Sequence, residues 1–163
     1  MSISWTRRSY EATVLLIPLD REARAALGAR EDSALAGITI ADQNLLTEQD
    51  RTDLGQDEAA STRLELAVHE ADIVIMHVHD LAEVDREAVA RVGDAARPTG
   101  KLLGAVVISH DLGWRDNASN DAATTLREVA DNVVVLSDVS LAVPFFQVLR
   151  GGTRDGALAG AAS

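Results

Sequence analysis

The chain has 163 residues, a formal net charge of -11 and no cysteine. That length suffices for one domain with a core of its own, and the lack of cysteine excludes disulfides, thiolate metal sites and a thiol nucleophile. An acidic chain with a single lysine, Lys101, is ill suited to a phosphate backbone, which is bound by clustered basic side chains, so no nucleic-acid partner is expected.

In chain order, TRRSYEATVLLIPL (residues 6–19) sets two arginines ahead of an apolar run, as a twin-arginine export signal does. The run from Ala12 to Leu19 is short, however. Glu11 interrupts the approach, Asp20-Arg21-Glu22 follows at once, and no small-residue cleavage site appears. A first strand is expected instead. No segment reaches the roughly 18 apolar residues of a membrane span, which predicts a soluble, cytoplasmic protein with no membrane partner.

Short β-rich runs then alternate with helical patterns. DREARAALGARE (20–31) precedes AGITIA (36–41), and DEAASTRLELAVHE (57–70) precedes ADIVIMHV (71–78). LAEVDREAVARVGDAA (81–96) leads to KLLGAVVIS (101–109), and NDAATTLREVA (120–130) leads to NVVVLS (132–137) and VSLAVPFFQVLR (139–150). Strands apolar on both faces between amphipathic helices predict a parallel sheet covered on both sides. The expected fold class is a three-layer α/β sandwich, Rossmann-like or flavodoxin-like, with five mainly parallel strands near 12–19, 36–41, 72–79, 102–109 and 132–137. Within 81–96, Leu81, Val84, Ala88, Val89 and Val92 recur at helical spacing and predict one helix ended by Pro98-Thr99-Gly100. TEQDRTDLGQ (47–56) reads as a mobile surface loop able to meet a partner. Residues 1–150 form the single expected domain, and 151–163, rich in Gly and Ala, the expected flexible tail.

Doubly wound folds bind phosphates at glycine-rich turns that lead into helix N-termini. The turns PLDREARAA (18–26) and HVHDLAEVDREA (77–88) contain no glycine and are net acidic or carry acidic groups where a phosphate would approach. Neither fits GxGxxG or GxxxxGKS. No nucleotide cofactor is therefore expected.

From Ala71 on, the order of pieces resembles the nucleotide-binding half of bacterial FtsZ and the tubulin superfamily, over about half of the chain. EADIVIMHV resembles the strand that precedes the family's glycine-rich loop, and GKLLGAVVIS resembles the next strand. TTLREVADNVVVLSDVSLA resembles the helix, strand and base-contacting turn that lead to the central helix. The resemblance implies an FtsZ N-terminal-domain-like fold, and it places Asp138 at the base-contacting turn. HDLAEVDRE stands where the signature GGGTGTG loop belongs, and the glycine loop after the first strand is also missing. The implied protein is a relative that has lost GTP binding.

Two strands run out into His-Asp pairs, ADIVIMHVHD (71–80) and VVISHD (106–111). With the third and fourth strands adjacent, His79-Asp80 and His110-Asp111 lie within one or two strand spacings, and Asp20 lies close by. Alternation along the strand puts His77 and His79 on one face, Met76 and Val78 on the other. His79, His110, Asp80 and Asp111 are thus candidates for acid/base catalysis, and His77, His79 and His110 for a divalent metal. The plainer alternative is that these residues finish strands and that Asp80 and Asp111 cap the segments that follow. Ser109 beside His110 makes no triad, since neighbours on a strand face opposite ways and no GxSxG elbow is present. The acidic stretch from Asp42 to Glu58 lacks the spacing of a calcium loop.

The last helix is apolar almost all round and holds both phenylalanines. Val143, Phe145, Phe146 and Leu149 are candidate interface residues, which predicts a homodimer or a partner protein. The leading expectation is a non-catalytic interaction or accessory module. The alternative is a small His/Asp enzyme with its site at the carboxyl ends of the third and fourth strands.

Overall fold

A computed structural model of the protein describes residues 11–30, 35–46, 56–110 and 114–151. Its elements run β1 (Val14–Pro18), α1 (Arg21–Gly28), β2 (Ile38–Ile40), a 3₁₀ turn (Gln43–Leu45), α2 (Gln56–Glu70) and β3 (Ile73–Val78). They continue with a 3₁₀ turn (Leu81–Glu83), α3 (Arg86–Ala96), a 3₁₀ turn (Arg97–Thr99), β4 (Leu102–Ile108), α4 (Asn117–Val129), β5 (Asn132–Leu136), a 3₁₀ turn (Val139–Leu141) and α5 (Ala142–Arg150). Each of the five expected strands is present, one to two residues shorter at most of its ends.

The strands pair in parallel in the order β2-β1-β3-β4-β5. The chain leaves β1 toward β2 on one side and returns to β3 on the other, so the topological switch point lies between β1 and β3. In open parallel sheets that crevice, at the carboxyl ends of the strands, is where ligands bind. Pro18, His77 and Val106 stand side by side there in register.

Helices cover both faces, giving the three-layer α/β sandwich. On one face α2, α3 and α4 pack over Leu15, Ile17, Val74, Met76 and Val107 through Val68, Val89, Val92 and Leu126. On the other, α1 and α5 pack over Val14, Leu16, Ile75, Val106 and Ile108 through Leu27, Val143 and Phe146. Both faces of the central strands are therefore dry, which is why their sequences read as continuous apolar runs rather than alternating ones. Close approach of α3 to α4 depends on Gly93, where a Cβ would sit 2.4 Å from Val129 Cγ1.

Two expectations are corrected. The pattern over 81–96 is not one helix, because Val84 is extended (φ -70, ψ 123) and the chain starts twice. Asp80 caps the short turn, and Asp85, whose carboxylate accepts from Glu87 N at 2.9 Å, caps α3. The apolar stripe carries across this break because Leu81 and Val84 are buried along with Val89 and Val92. The second correction concerns α5. Val143 and Phe146, two of the four residues expected at an interface, are instead covered by this chain's own sheet, and Phe145 and Leu149 are half-buried against the same cluster. Pro144 sits in the first turn of α5, where its missing N–H costs nothing. Only the outermost line of the helix stays open, with Leu141 just before it at 48 % exposure and Val148 at 73 %.

Residues 47–55, expected as a loop, and 152–163, expected as a tail, lie outside the described residues. No helix among the described residues is long and apolar enough to cross a membrane.

Because Phe146 is fully buried and Val148 is not, the two sides of α5 should respond oppositely. Phe146→Ala is expected to cost the folded monomer about 3–5 kcal/mol, whereas Val148→Glu should change the stability of the monomer itself, read at low protein concentration, by no more than about 0.5 kcal/mol. Urea unfolding of both variants checks this, and a neutral Phe146→Ala would place α5 outside the core.

Candidate functional site

The site begins with the alternation of β3. Ile75 and His77 face α1 and α5, and His77 is buried in the middle of the sheet at its carboxyl end. Its ring meets Phe146 edge-on, with centroids 5.2 Å apart and planes at 88°. A second edge-on contact, at 4.8 Å and 86°, is with His79. A buried imidazole needs partners for both nitrogens, and it has them. Nδ1 lies 3.3 Å from the Val106 carbonyl of β4, and Nε2 lies 3.0 Å from His79 Nε2.

These distances fix the protons. A carbonyl only accepts, so His77 Nδ1 carries the hydrogen and donates to Val106 O. Burial, followed by the neighbouring His79, pushes the His77 pKa down to about 4, so the ring is neutral at pH 7 and its Nε2 is a bare acceptor. His79 Nε2 must then donate. Its ring is also held below the usual histidine value, chiefly by burial, with Asp20 and Glu22 pulling the other way. Neutral His79 is therefore left with a bare lone pair on Nδ1. That nitrogen is 4.0 Å from Glu22 Oε1, too far for a hydrogen bond. Every buried side-chain nitrogen and oxygen among the described residues has a partner, so His79 Nδ1 opens outward.

Asp20 positions all of this. Its buried carboxylate accepts from His79 N at 2.7 Å and from Ala23 N, in the first turn of α1, at 2.8 Å. Leu19 N donates to His77 O at 2.9 Å and closes the same junction from the backbone side. An anion at a helix N-terminus is favoured by the free amides and the helix dipole. Here one such anion also ties the end of β3 to the start of α1.

A cleft of about 380 Å³ lies at this edge, lined by Glu22, Ala25, Ala26, His79, Ile108, His110 and Val139. His110 is exposed on its far side, close enough to disfavour a charge on His79 and to favour one on Asp138.

The expected residues thus separate. His77 and His79 are in direct contact, and His110 shares a cleft with His79. Asp80 does not join them, since its Oδ1 accepts from Ala82 N at 3.0 Å as an ordinary cap, while Asp111 lies outside the described residues. The metal set is not assembled: no three His, Asp or Glu side chains converge to hold an ion among the described residues. His77 has no nitrogen to offer one, because Val106 and His79 occupy both. Glu22 and the structural role of Asp20 were not singled out from sequence. The available signal was spacing, since Asp20, Asp42, Asp80 and Asp138 each stand two residues beyond a strand end.

Compared with protein-family models and with curated proteins, the chain matches none.

The buried pair makes stability depend on pH. With a folded pKa of about 4 against 6.5 in the unfolded chain, His77 takes up a proton more readily when unfolded. Its contribution is complete above pH 6.5 and declines as pH falls toward 4, by about 3 kcal/mol in all. NMR titration of the His77 ring should give a midpoint near 4, and the stability lost between pH 6.5 and 4 should shrink in His77→Gln. A midpoint near 6.5 would contradict the buried neutral pair.

Proposed function

We propose that the chain is a non-catalytic α/β module, akin to the FtsZ/tubulin nucleotide-binding half, which has given up nucleotide binding and works by contact with another protein or with a second copy of itself. One observation carries this reading: after each strand, an aspartate occupies a backbone amide of the helical turn that follows. Asp20 Oδ1 accepts from Ala23 N at 2.8 Å, Asp42 from Asn44 N at 3.0 Å and Asp80 from Ala82 N at 3.0 Å. Asp116 accepts from Ser119 N at 2.7 Å and Asp138 from Ser140 N at 2.8 Å. These are amides that a phosphate would need, and a second anion beside each carboxylate would be repelled. At α1, Glu83 adds another carboxylate oxygen 3.4 Å from Arg21 N and pairs with the Arg21 guanidinium. Asp138, which the resemblance places at the base-contacting turn, spends its carboxylate on the cap.

Contact with another chain is supported by the outer line of α5, where Leu141 and Val148 stay exposed beside half-buried Phe145 and Leu149. A second reading, a small acid/base enzyme, is favoured by the bare and oriented Nδ1 of His79.

Calorimetry with magnesium and GTP, ATP or NAD is expected to register no binding at millimolar nucleotide. Micromolar affinity for any of them would overturn the reading. Light scattering should give twice the 17.3 kDa chain mass, reverting to the monomer in Leu141→Glu, Val148→Glu.

A further inference from the structure

We propose that the Glu22/His79 cleft binds a primary alkylammonium group, with the cation shared between His79 Nδ1 and Glu22 Oε1 and its aliphatic stem laid on Ala25, Ala26, Ile108 and Val139.

Burial and hydrogen bonding are mismatched at His79. The side chain of His79 is only 6 % exposed, yet its Nδ1 lies 4.0 Å from a carboxylate oxygen with no donor between them among the described residues. Two acceptors facing each other repel unless a donor bridges them. A nitrogen placed about 2.8 Å from each closes such a gap with an angle near a right angle at the nitrogen, which an –NH₃⁺ group accommodates with two of its three hydrogens.

Chemistry selects among donors. A hydroxyl has one hydrogen and cannot donate to both acceptors, and water has two but leaves the Glu22 charge unpaired, whereas an ammonium donates to both and also neutralises Glu22. A phosphate or carboxylate ligand would meet Glu22 and the buried Asp20 carboxylate beyond it. Arg21, next to Glu22 in the chain, is already paired to Glu83. The rest of the lining is apolar apart from His110, which suits a stem of several methylenes and leaves a bulky or highly polar body without partners. The geometry of His79 is imposed by the fold: Asp20 holds its backbone and His77 its Nε2, so the acceptor is in place before any ligand arrives.

A primary alkylammonium has two sources, a free small amine or the lysine side chain of another protein. In the lysine form the inference rests on the interaction-module reading above. In the free-amine form it stands without it.

Two-dimensional amide NMR of the whole chain at pH 8, where His79 is neutral, tests the site. n-Butylammonium is expected to shift the amides of Glu22, Ala25, Ala26 and His79 with millimolar affinity. n-Butyltrimethylammonium, which carries the charge but no N–H, and butyrate are expected to leave them in place. Glu22→Gln, a change at a side chain 72 % exposed that should not disturb folding, is expected to weaken binding about tenfold. Nα-Acetyl-lysine methylamide distinguishes the sources: tighter binding than butylammonium points to a protein lysine, and weaker binding to a free amine. The proposal is overturned if butylammonium and its trimethyl analogue act alike, if Glu22→Gln changes nothing, or if no shift centres on His79. Failure of the lysine derivative alone removes only the link to a protein partner.

Discussion

The buried carboxylate of Asp20 is the contact on which the carboxyl edge of the molecule depends. A charge taken out of water is tolerated only where hydrogen bonds replace its hydration. Asp20 has two such bonds, both from backbone amides, one starting α1 and the other ending β3. Since His79 N is held, the His79 ring is aimed. Since the ring is aimed, its Nε2 reaches His77, and His77 can be buried neutral with Val106 on its other nitrogen. His77 in turn meets edge-on Phe146, the largest fully buried side chain among the described residues. A line of contacts therefore runs from the mouth of the sheet to the core under α5, and no link in it is a long-range charge pair.

The same residue type recurs at the other strand ends for the same reason. A parallel strand that stops at a helical turn leaves amides unpaired, and an aspartate two residues on satisfies one at little entropic cost. Four of the five strands follow that spacing, and β4 departs from it. After Ile108 the chain passes Ser109 and His110, and the cap of α4 comes only at Asp116, which bonds both the amide and the hydroxyl of Ser119. Trp114, stacked under the Arg127 guanidinium at 5.4 Å, fastens this longer connection to α4. An edge made of self-satisfied carboxylates is stable without a ligand, and it is selective by charge against anions.

How much of this was legible depends on the range of the interaction concerned. The five strands were readable because Val, Ile and Leu runs bounded by polar residues leave little choice of period, and Ile73–Val78 is apolar but for His77. The double start near residue 85 was not, because apolar side chains at helical spacing continue through Val84 although the backbone there is extended. Only the Asp85 cap reveals the break. Phe145 and Phe146 look equivalent in sequence, yet one ring is half-buried and the other is sealed against the sheet. A helix apolar nearly all round carries no mark of which face its own domain will take.

By itself the sequence determined the class of fold, the number and place of the strands, and the lack of glycine-rich phosphate turns, because these follow from local period and local chemistry. It also placed His77 and His79 on one side of the sheet, although His79 lies one residue beyond the end of β3. Tertiary structure alone decided that the two rings share a hydrogen bond and that Asp80 stands apart while Asp20 takes the central role. It decided too that the last helix belongs to the monomer core. Each of those outcomes turns on distances between residues far apart in the chain, such as Asp20 to His79 and His77 to Val106. Such distances are set by strand register and side-chain packing, which no local pattern encodes.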